Sequence, residues 1–321
     1  MRVFLTGGTG FVGLALAARW AMDGAEVIAS ADVPPPDWAK AVLPDVRFEV
    51  LDVRDRDAFI SAVTNHRPDV LVHGAALTPD ETRERAGGTA AIFEINVAGT
   101  ANALEAAAAA GVGRVLAFSS GAAYGRTLDE VDVLDEATTE CRPTALYAIS
   151  KLAAEKVALR LGDLHGISVV TPRLSAAWGP WEYRTWMRQT LSPGYQILEA
   201  VVAGGIPRVA AGEELPLIFS EDAADMLVRL AQSDAEGPVN IGSADMVELS
   251  ALAAQAVAEA RGRGQPVDGP DHTVELFAPR RPPMTLNRLA AAIGDWNRTS
   301  MPDAVARSFD WYETLPTPRP F

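Results

Sequence analysis

Short apolar runs alternate with longer stretches of helical spacing along the first half of the chain. Arg2 to Thr6 reads as a buried strand; after the turn Gly7-Gly8-Thr9-Gly10 a helix runs from Phe11 to Asp23, stopped by Gly24. Further strands are expected at Glu26 to Ala31, Val46 to Leu51, Val70 to His73, Arg114 to Ser119 and Ser168 to Arg173. Between them the pattern predicts helices at Asp55 to Asn65, Ala90 to Ala110 and Leu146 to Leu161, the alanine-rich one closed by Gly111. Val33-Pro34-Pro35-Pro36 cannot lie inside a helix and reads as a loop. Strands alternating with helices of this length imply right-handed βαβ units and a doubly wound parallel α/β sheet.

Beyond Arg173 the rhythm breaks. Leu249 to Arg261 is predicted helical, Gly262 to Pro270 is a loop, and Ser220 to Ala231 is expected to return to the first unit as a helix. The expected division is residues 1–173, rejoined by 216–240, as one unit, with 174–215 and 241–321 forming a smaller C-terminal lobe. The proline-rich tail from Pro316 to Phe321 is expected to be poorly ordered.

Composition removes several classes of function. The chain has 321 residues, 48% apolar and 22% charged, enough to bury a core. No charge-free apolar run of about 18 residues occurs, so no transmembrane helix is expected. The opening MRVFLTGG lacks the parts of a secretory leader. The one cysteine, Cys141, excludes an internal disulfide and suits the cytoplasm. His66, His73, His165 and His272 are scattered, without metal-ligand spacing, and no metal is expected. A net charge of −14 with no basic stripe argues against a nucleic-acid partner.

Gly7, Gly10 and Gly13 stand between a strand and the helix opened by Phe11 and Val12. There the backbone must turn tightly and approach a pyrophosphate, and the helix N-terminus offers unpaired N–H groups. The spacing is G-x-x-G-x-x-G, not G-x-G-x-x-G. Asp32, at the end of the second strand, suits both ribose hydroxyls of NAD and repels the 2′-phosphate of NADP; no arginine follows it within ten residues. A solvated loop carboxylate is the plain alternative. Asp52, with Val53 after it, is placed for the adenine amino group. These features describe a Rossmann domain that binds NAD.

Tyr147 and Lys151 are separated by one helical turn and share a face. A lysine ammonium beside a phenol favours the phenolate, whose ordinary pKa is about 10, and lets tyrosine act as a base in alcohol oxidation. Ser120 follows the fifth strand, at the sheet end where ligands bind, and can hold the substrate oxygen. A solvent-exposed helix face is the alternative for Tyr147 and Lys151, but here they follow a glycine turn, an acidic ribose position and a Ser-Ser pair in order.

The chain resembles the extended short-chain dehydrogenases/reductases, the group that includes nucleotide-sugar epimerases and dehydratases. The resemblance rests on TGGTGFVG at 6–13, LDVRD at 51–55, HGAA at 73–76, NVAGT at 96–100, FSSGAAYG at 118–125, YAISK at 147–151 and PRLSAAWGP at 172–180. It implies Ser120, Tyr147 and Lys151 as the catalytic set, with Tyr147 the acid/base and Lys151 on the nicotinamide ribose. It implies that Gly74, Ala75 and Ala76 line the cofactor trough and that Asn96 braces the alanine-rich helix. Ser119, Arg173 and Ser175 would flank the nicotinamide, and Thr78 and Gly121 would meet substrate. A homodimer through the two helices near 90–110 and 146–161 is a further implication.

Two departures narrow the chemistry. Sugar 4,6-dehydratases carry Asp-Glu after the catalytic hydroxyl residue, where this chain has Gly121-Ala122. Many UDP-sugar epimerases carry an Arg-Asp pair six to seven residues before the position of Asp222, where this chain has Leu215-Pro216. The expectation is therefore an NAD-dependent dehydrogenase of a sugar, sugar acid or similar small hydroxy compound. An NAD-retaining epimerase and a non-catalytic dinucleotide sensor are the alternatives. Trp178, Trp181, Tyr183 and Trp186 offer faces for a sugar ring, or else pack the lobe. Arg184 and Arg188, or Arg280 and Arg281, are candidate anion contacts, with plain surface arginine as the alternative.

Overall fold

Val3, Phe4 and Leu5 are all fully buried, as a strand covered on both faces requires. A computed structural model describes residues 1–78, 81–185, 191–274 and 281–315. Seven parallel strands form its central sheet: β1 (Arg2–Thr6), β2 (Glu26–Ala31), β3 (Val46–Val50), β4 (Val70–His73), β5 (Arg114–Ala117), β6 (Ser168–Leu174) and a late strand, Gly237–Ile241. The spatial order runs from the late strand through β6, β5, β4, β1 and β2 to β3. The sheet thus winds outward in both directions from β1, and the reversal point lies beside the glycine turn. Alternation along the strands feeds two cores: Val3, Leu5, Val27 and Ala29 face one side, Phe4, Ile28 and Leu71 the other.

The crossover helices are α1 (Phe11–Met22), α2 (Asp37–Val42), α3 (Arg56–His66), α4 (Glu81–Ala86), α5 (Ala90–Phe93), α6 (Gly99–Ala110) and α7 (Leu146–His165). The expected single helix over 90–110 is corrected here. A π-helical turn, Glu94–Ala98, interrupts it. That turn points Asn96 inward: its Oδ1 accepts from Leu77 N (2.8 Å), and its Nδ2 donates to the Leu77 carbonyl (3.0 Å) and Ser150 Oγ (2.9 Å). Asn96 so joins the loop after β4 to α7, a use of a π turn near a functional site that recurs in proteins.

The rest of the chain builds the lobe from α8 (Pro193–Val202), α10 (Leu249–Gly262) and α12 (Met301–Thr314), with three short two-stranded pairs; between them α9 (Ser220–Ala231) packs on α1, and α11 (Asn287–Ile293) on α9.

Candidate active site

A cavity of about 910 Å³ runs across the C-terminal ends of β2, β1, β4, β5 and β6. Gly7, Gly10, Phe11, Val12, Gly13, Asp32, Asp52, Val53, Gly74, Ala75 and Ala76 line its first part. Thr78, Ser119, Ser120, Gly121, Tyr147, Lys151 and Ser175 line the remainder.

The glycine turn is made by contacts that no side chain would allow. Gly7 has φ +70°, and a Cβ on it would lie 2.7 Å from the Gly74 carbonyl carbon; one on Gly13 would lie 2.1 Å from the Gly7 oxygen. Helix α1 starts at Gly10 without a side-chain cap, at the end of the helix whose dipole favours a phosphate. The hydroxyl of Tyr183, from the lobe, donates to the Thr9 carbonyl, and its ring meets Trp38 edge-on with centroids 5.3 Å apart. The lobe is thereby fastened to the turn that the phosphates would approach.

At the opposite end of this half, burial holds the Asp32 carboxyl above its usual pKa, and the neighbouring Asp52 adds to the effect. Asp52 itself is forked by Arg54, whose Nε and Nη2 donate at 3.0 and 2.6 Å; these bonds hold the Asp52 carboxyl below the usual range. Arg54 lines the cavity, and its charge acts on Asp32 as well. The sequence reading did not find it. The signal was the parallel register of β2 and β3, which pairs Ala31 with Val50 and so brings the residues after each strand together. Asp32→Ala should narrow the preference for NAD over NADP, because it removes a repelling carboxylate and leaves Arg54 to meet a 2′-phosphate. Calorimetric affinities for both dinucleotides check this; an unchanged ratio would remove the role assigned to Asp32.

Ser120 caps the short turn Gly121–Tyr124, its Oγ accepting from Ala122 N at 3.2 Å. Lys151 is buried, and burial pushes its ammonium down to about 8, with Glu155 acting against that. Glu155 lies one turn further along the same face, fully buried. It accepts from Arg173 Nε (2.9 Å) and Nη2 (2.8 Å) and from Ser119 Oγ (2.8 Å). His73, on β4, is pushed down to about 3 by burial and by Lys151, which favours the neutral imidazole. Its Nδ1 pairs with Thr6 Oγ1 at 2.9 Å, so it serves the fold rather than proton transfer.

The Lys151 proton gives a signed expectation. The folded chain releases it near pH 8 and the unfolded chain near 10.5, so the unfolded state binds more protons between these values and stability rises with pH there. Below pH 8 the buried charge costs stability in full. Lys151→Met should therefore raise the stability at pH 7 by on the order of 2–3 kcal/mol while weakening NAD binding. Denaturant melts at pH 7 and pH 10.5 test it: the gain should shrink at the higher pH, and a loss at pH 7 would refute the argument.

A model of the NAD dependent epimerase/dehydratase family matches residues 3–242. The chain belongs to that family. Among its relatives, the dTDP-glucose 4,6-dehydratase of Streptomyces niveus is 29% identical over 194 residues, which is 57% of this chain and 56% of that protein. The GDP-6-deoxy-D-mannose reductase of Pseudomonas aeruginosa is 32% identical over 175 residues, 54% of this chain and 51% of that one. The match spans little more than half the length of these curated relatives. Over nearly its whole length the fold is that of the Bordetella bronchiseptica enzyme WbmH, solved in complex with NAD+: the TM-score is 0.80 at 22% identity, covering 97% of this chain and 98% of the other. The matched family is by its description NAD dependent, and the WbmH structure that shares the fold holds NAD+.

Several expected contacts stand away from the cavity of this family member. The Arg173 side chain is committed to Glu155 and lies over the Tyr124 ring, 4.9 Å from its centroid. Asn96 acts through Leu77 and Ser150, as described above. Trp178 packs edge-on against Phe219 with centroids 5.7 Å apart, and Trp181 packs at 6.3 Å against Trp311; both are buried in the lobe's core. Arg184 pairs with Glu199 at 2.9 Å on the surface. The physical reason is common to the aromatic pair: a small lobe needs large apolar side chains to close its own core. Trp186, Arg188 and Arg280 lie outside the described residues, as does the tail from Pro316. Tyr183 and Arg281 do line the cavity.

Proposed function

We propose that this family member is a dehydrogenase that moves hydride between NAD and a hydroxyl or carbonyl of a small hydroxy compound, a sugar or sugar acid being the first classes to try. One observation carries the reading: Ser120, Tyr147 and Lys151 line the same cavity as the glycine turn and Asp32, while Gly121-Ala122 bring no carboxylates for water elimination. Bound NAD supplies the hydride acceptor. Tyr147 takes the proton of the substrate hydroxyl, Ser120 holds the same oxygen, and Lys151 favours the phenolate and holds the nicotinamide ribose. Leu215-Pro216, where epimerases of UDP-sugars carry Arg-Asp, tells against a nucleotide diphosphate. Residues 1–173 and 216–240 form the cofactor unit in this reading, with the remainder receiving substrate.

The test is a screen of sugars, sugar acids and nucleotide sugars with NAD, read by NADH absorbance and product analysis. Net NADH supports the dehydrogenase. Stereoinversion without net NADH would make it an NAD-retaining epimerase, and NAD binding without turnover a dinucleotide sensor.

The assembly is proposed to be a homodimer through α6 and α7. Their alanines let helices approach closely, and α7 also leaves Leu164 57% exposed. Light scattering at micromolar concentration should give twice the chain mass of 34.0 kDa; a monomer would defeat the proposal. Among the described residues no helix is long and apolar enough to cross a membrane. We place the protein in the cytoplasm, on its single cysteine.

A further inference from the structure

The cavity wall beyond Ser120 changes character. Leu128, Leu174, Leu191, Leu215 and Met284 line it. Several polar side chains on this side are turned to the protein. Ser175 Oγ donates to the Pro216 carbonyl at 2.9 Å, Ser192 Oγ to Glu182 at 2.5 Å, and Gln196 Nε2 to the Leu191 carbonyl at 2.9 Å. The charged lining residues here are Glu213 and Arg281, and the Glu213 charge partly offsets the burial of the Arg281 guanidinium. The tryptophans at 178 and 181, which a sugar ring would stack on, are spent in the lobe's core. A polyol brought against such a wall leaves hydroxyls unpaired, at about 1–3 kcal/mol each.

Met284 fixes the point nearest the chemistry. A Cβ on Gly121, the residue after Ser120, would lie 2.5 Å from Met284 Cε; one on Gly242 would lie 3.2 Å from Met284 Sδ and 3.0 Å from Ser175 Cβ. Two glycines thus make room for one thioether, and its methyl fills the space of a side chain at 121. The backbone on either side of Met284 is tied to Leu134: Leu134 N donates to the Pro283 carbonyl (2.9 Å) and Thr285 N to the Leu134 carbonyl (2.8 Å). Methionine ordinarily adapts to its surroundings; this one is held from both sides and buried.

Building on the dehydrogenase reading, we infer that the substrate is a secondary alcohol, or its ketone, whose carbon beside the reacting one carries an apolar group, and that Met284 selects it. Among the small hydroxy compounds proposed above the class is hydrocarbon-flanked, and it takes the place of the polyhydroxylated sugars and sugar acids named there first.

An apolar wall discriminates against an added hydroxyl by up to about 100-fold. The probes are cyclohexanol against trans-cyclohexane-1,2-diol for turnover with NAD, and cyclohexanone against 2-hydroxycyclohexanone for calorimetric binding to the NADH-loaded protein. UDP-glucose is the nucleotide-sugar arm. The wild type should prefer the monofunctional probe by about 10- to 100-fold in both assays, Met284→Leu should keep that ratio, and Met284→Gln should reduce it to within about three-fold. Gly121→Ala covers the case in which Met284→Gln does not fold. Its Cβ would lie 2.5 Å from Met284 Cε, so the thioether methyl must shift within the wall and the binding of 4-ethylcyclohexanone relative to cyclohexanone should change. Equal or reversed preference in the wild type, no binding of either ketone, tighter binding of UDP-glucose, or an unchanged ratio in folded Met284→Gln would each overturn the inference. An unchanged 4-ethylcyclohexanone ratio in Gly121→Ala would do so too. Selective ketone binding without any NADH turnover would instead sink the dehydrogenase reading and leave the selectivity standing.

Discussion

Tyr147→Phe is expected to slow the chemical step by about 100- to 10,000-fold while the fold and NAD affinity stay near those of the wild type. The substitution removes one oxygen and keeps the ring, so the packing of α7 is preserved. In the proposed mechanism what goes is the group that takes the hydroxyl proton as hydride leaves the carbon bearing it. Ser120→Ala should cost less, because Ser120 is proposed to orient the oxygen without carrying its proton away. The two variants are compared in single-turnover assays with saturating NAD, where product release does not mask the chemistry. The alkaline side of the wild-type profile should fall as Lys151 loses its proton near pH 8. A Tyr147→Phe protein with unchanged single-turnover rate would remove the mechanism and move the dinucleotide-sensor alternative to the front.

The cofactor half was legible because its constraints are local. Gly7 needs positive φ and close approach to Gly74, and Tyr147 and Lys151 need only one helical turn between them. The lobe was less legible because two of its helices, α8 and α12, begin with residues that elsewhere break helices. Helix α8 starts at Ser192-Pro193-Gly194, with Ser192 Oγ accepting from Tyr195 N and the proline in the first turn, where it has no N–H to lose. Helix α12 repeats the device at Ser300-Met301-Pro302. Arg54 was hidden for a different reason: strand register, not sequence distance, brings its charge to act on Asp32. Trp178 and Trp181 were ambiguous in principle, since the same ring closes a core or receives a sugar.

Glu155 carried a readable signal that went unused. It continues the Tyr147–Lys151 face by one more turn, so an acid was bound to be buried there and to require a partner. Arg173, at the end of β6, supplies it, and the pair adds Ser119, the neighbour of Ser120. Burial alone would raise the Glu155 carboxyl, but the bonds from Arg173 and Ser119 overcome it and hold the pKa below its ordinary value. This stabilisation is complete above the unfolded carboxyl's pKa, about 4.3, and is lost as pH falls through the lower folded value. Glu155→Gln leaves the Arg173 guanidinium buried without its counter-charge and should cost about 3–5 kcal/mol. Replacing both partners, Glu155→Leu with Arg173→Met, should recover most of that loss, because an apolar pair of similar size carries no unpaired charge. A second consequence reaches the chemistry. Glu155 is the group that raises the Lys151 pKa against burial, so in Glu155→Gln the alkaline limb of activity should move below its wild-type position near pH 8. Chemical denaturation and the pH profile are measured on the same preparations. A cost under about 1 kcal/mol would mean the pair behaves as an exposed one, and an unmoved alkaline limb in a folded variant would mean that Lys151 is not the group that sets it.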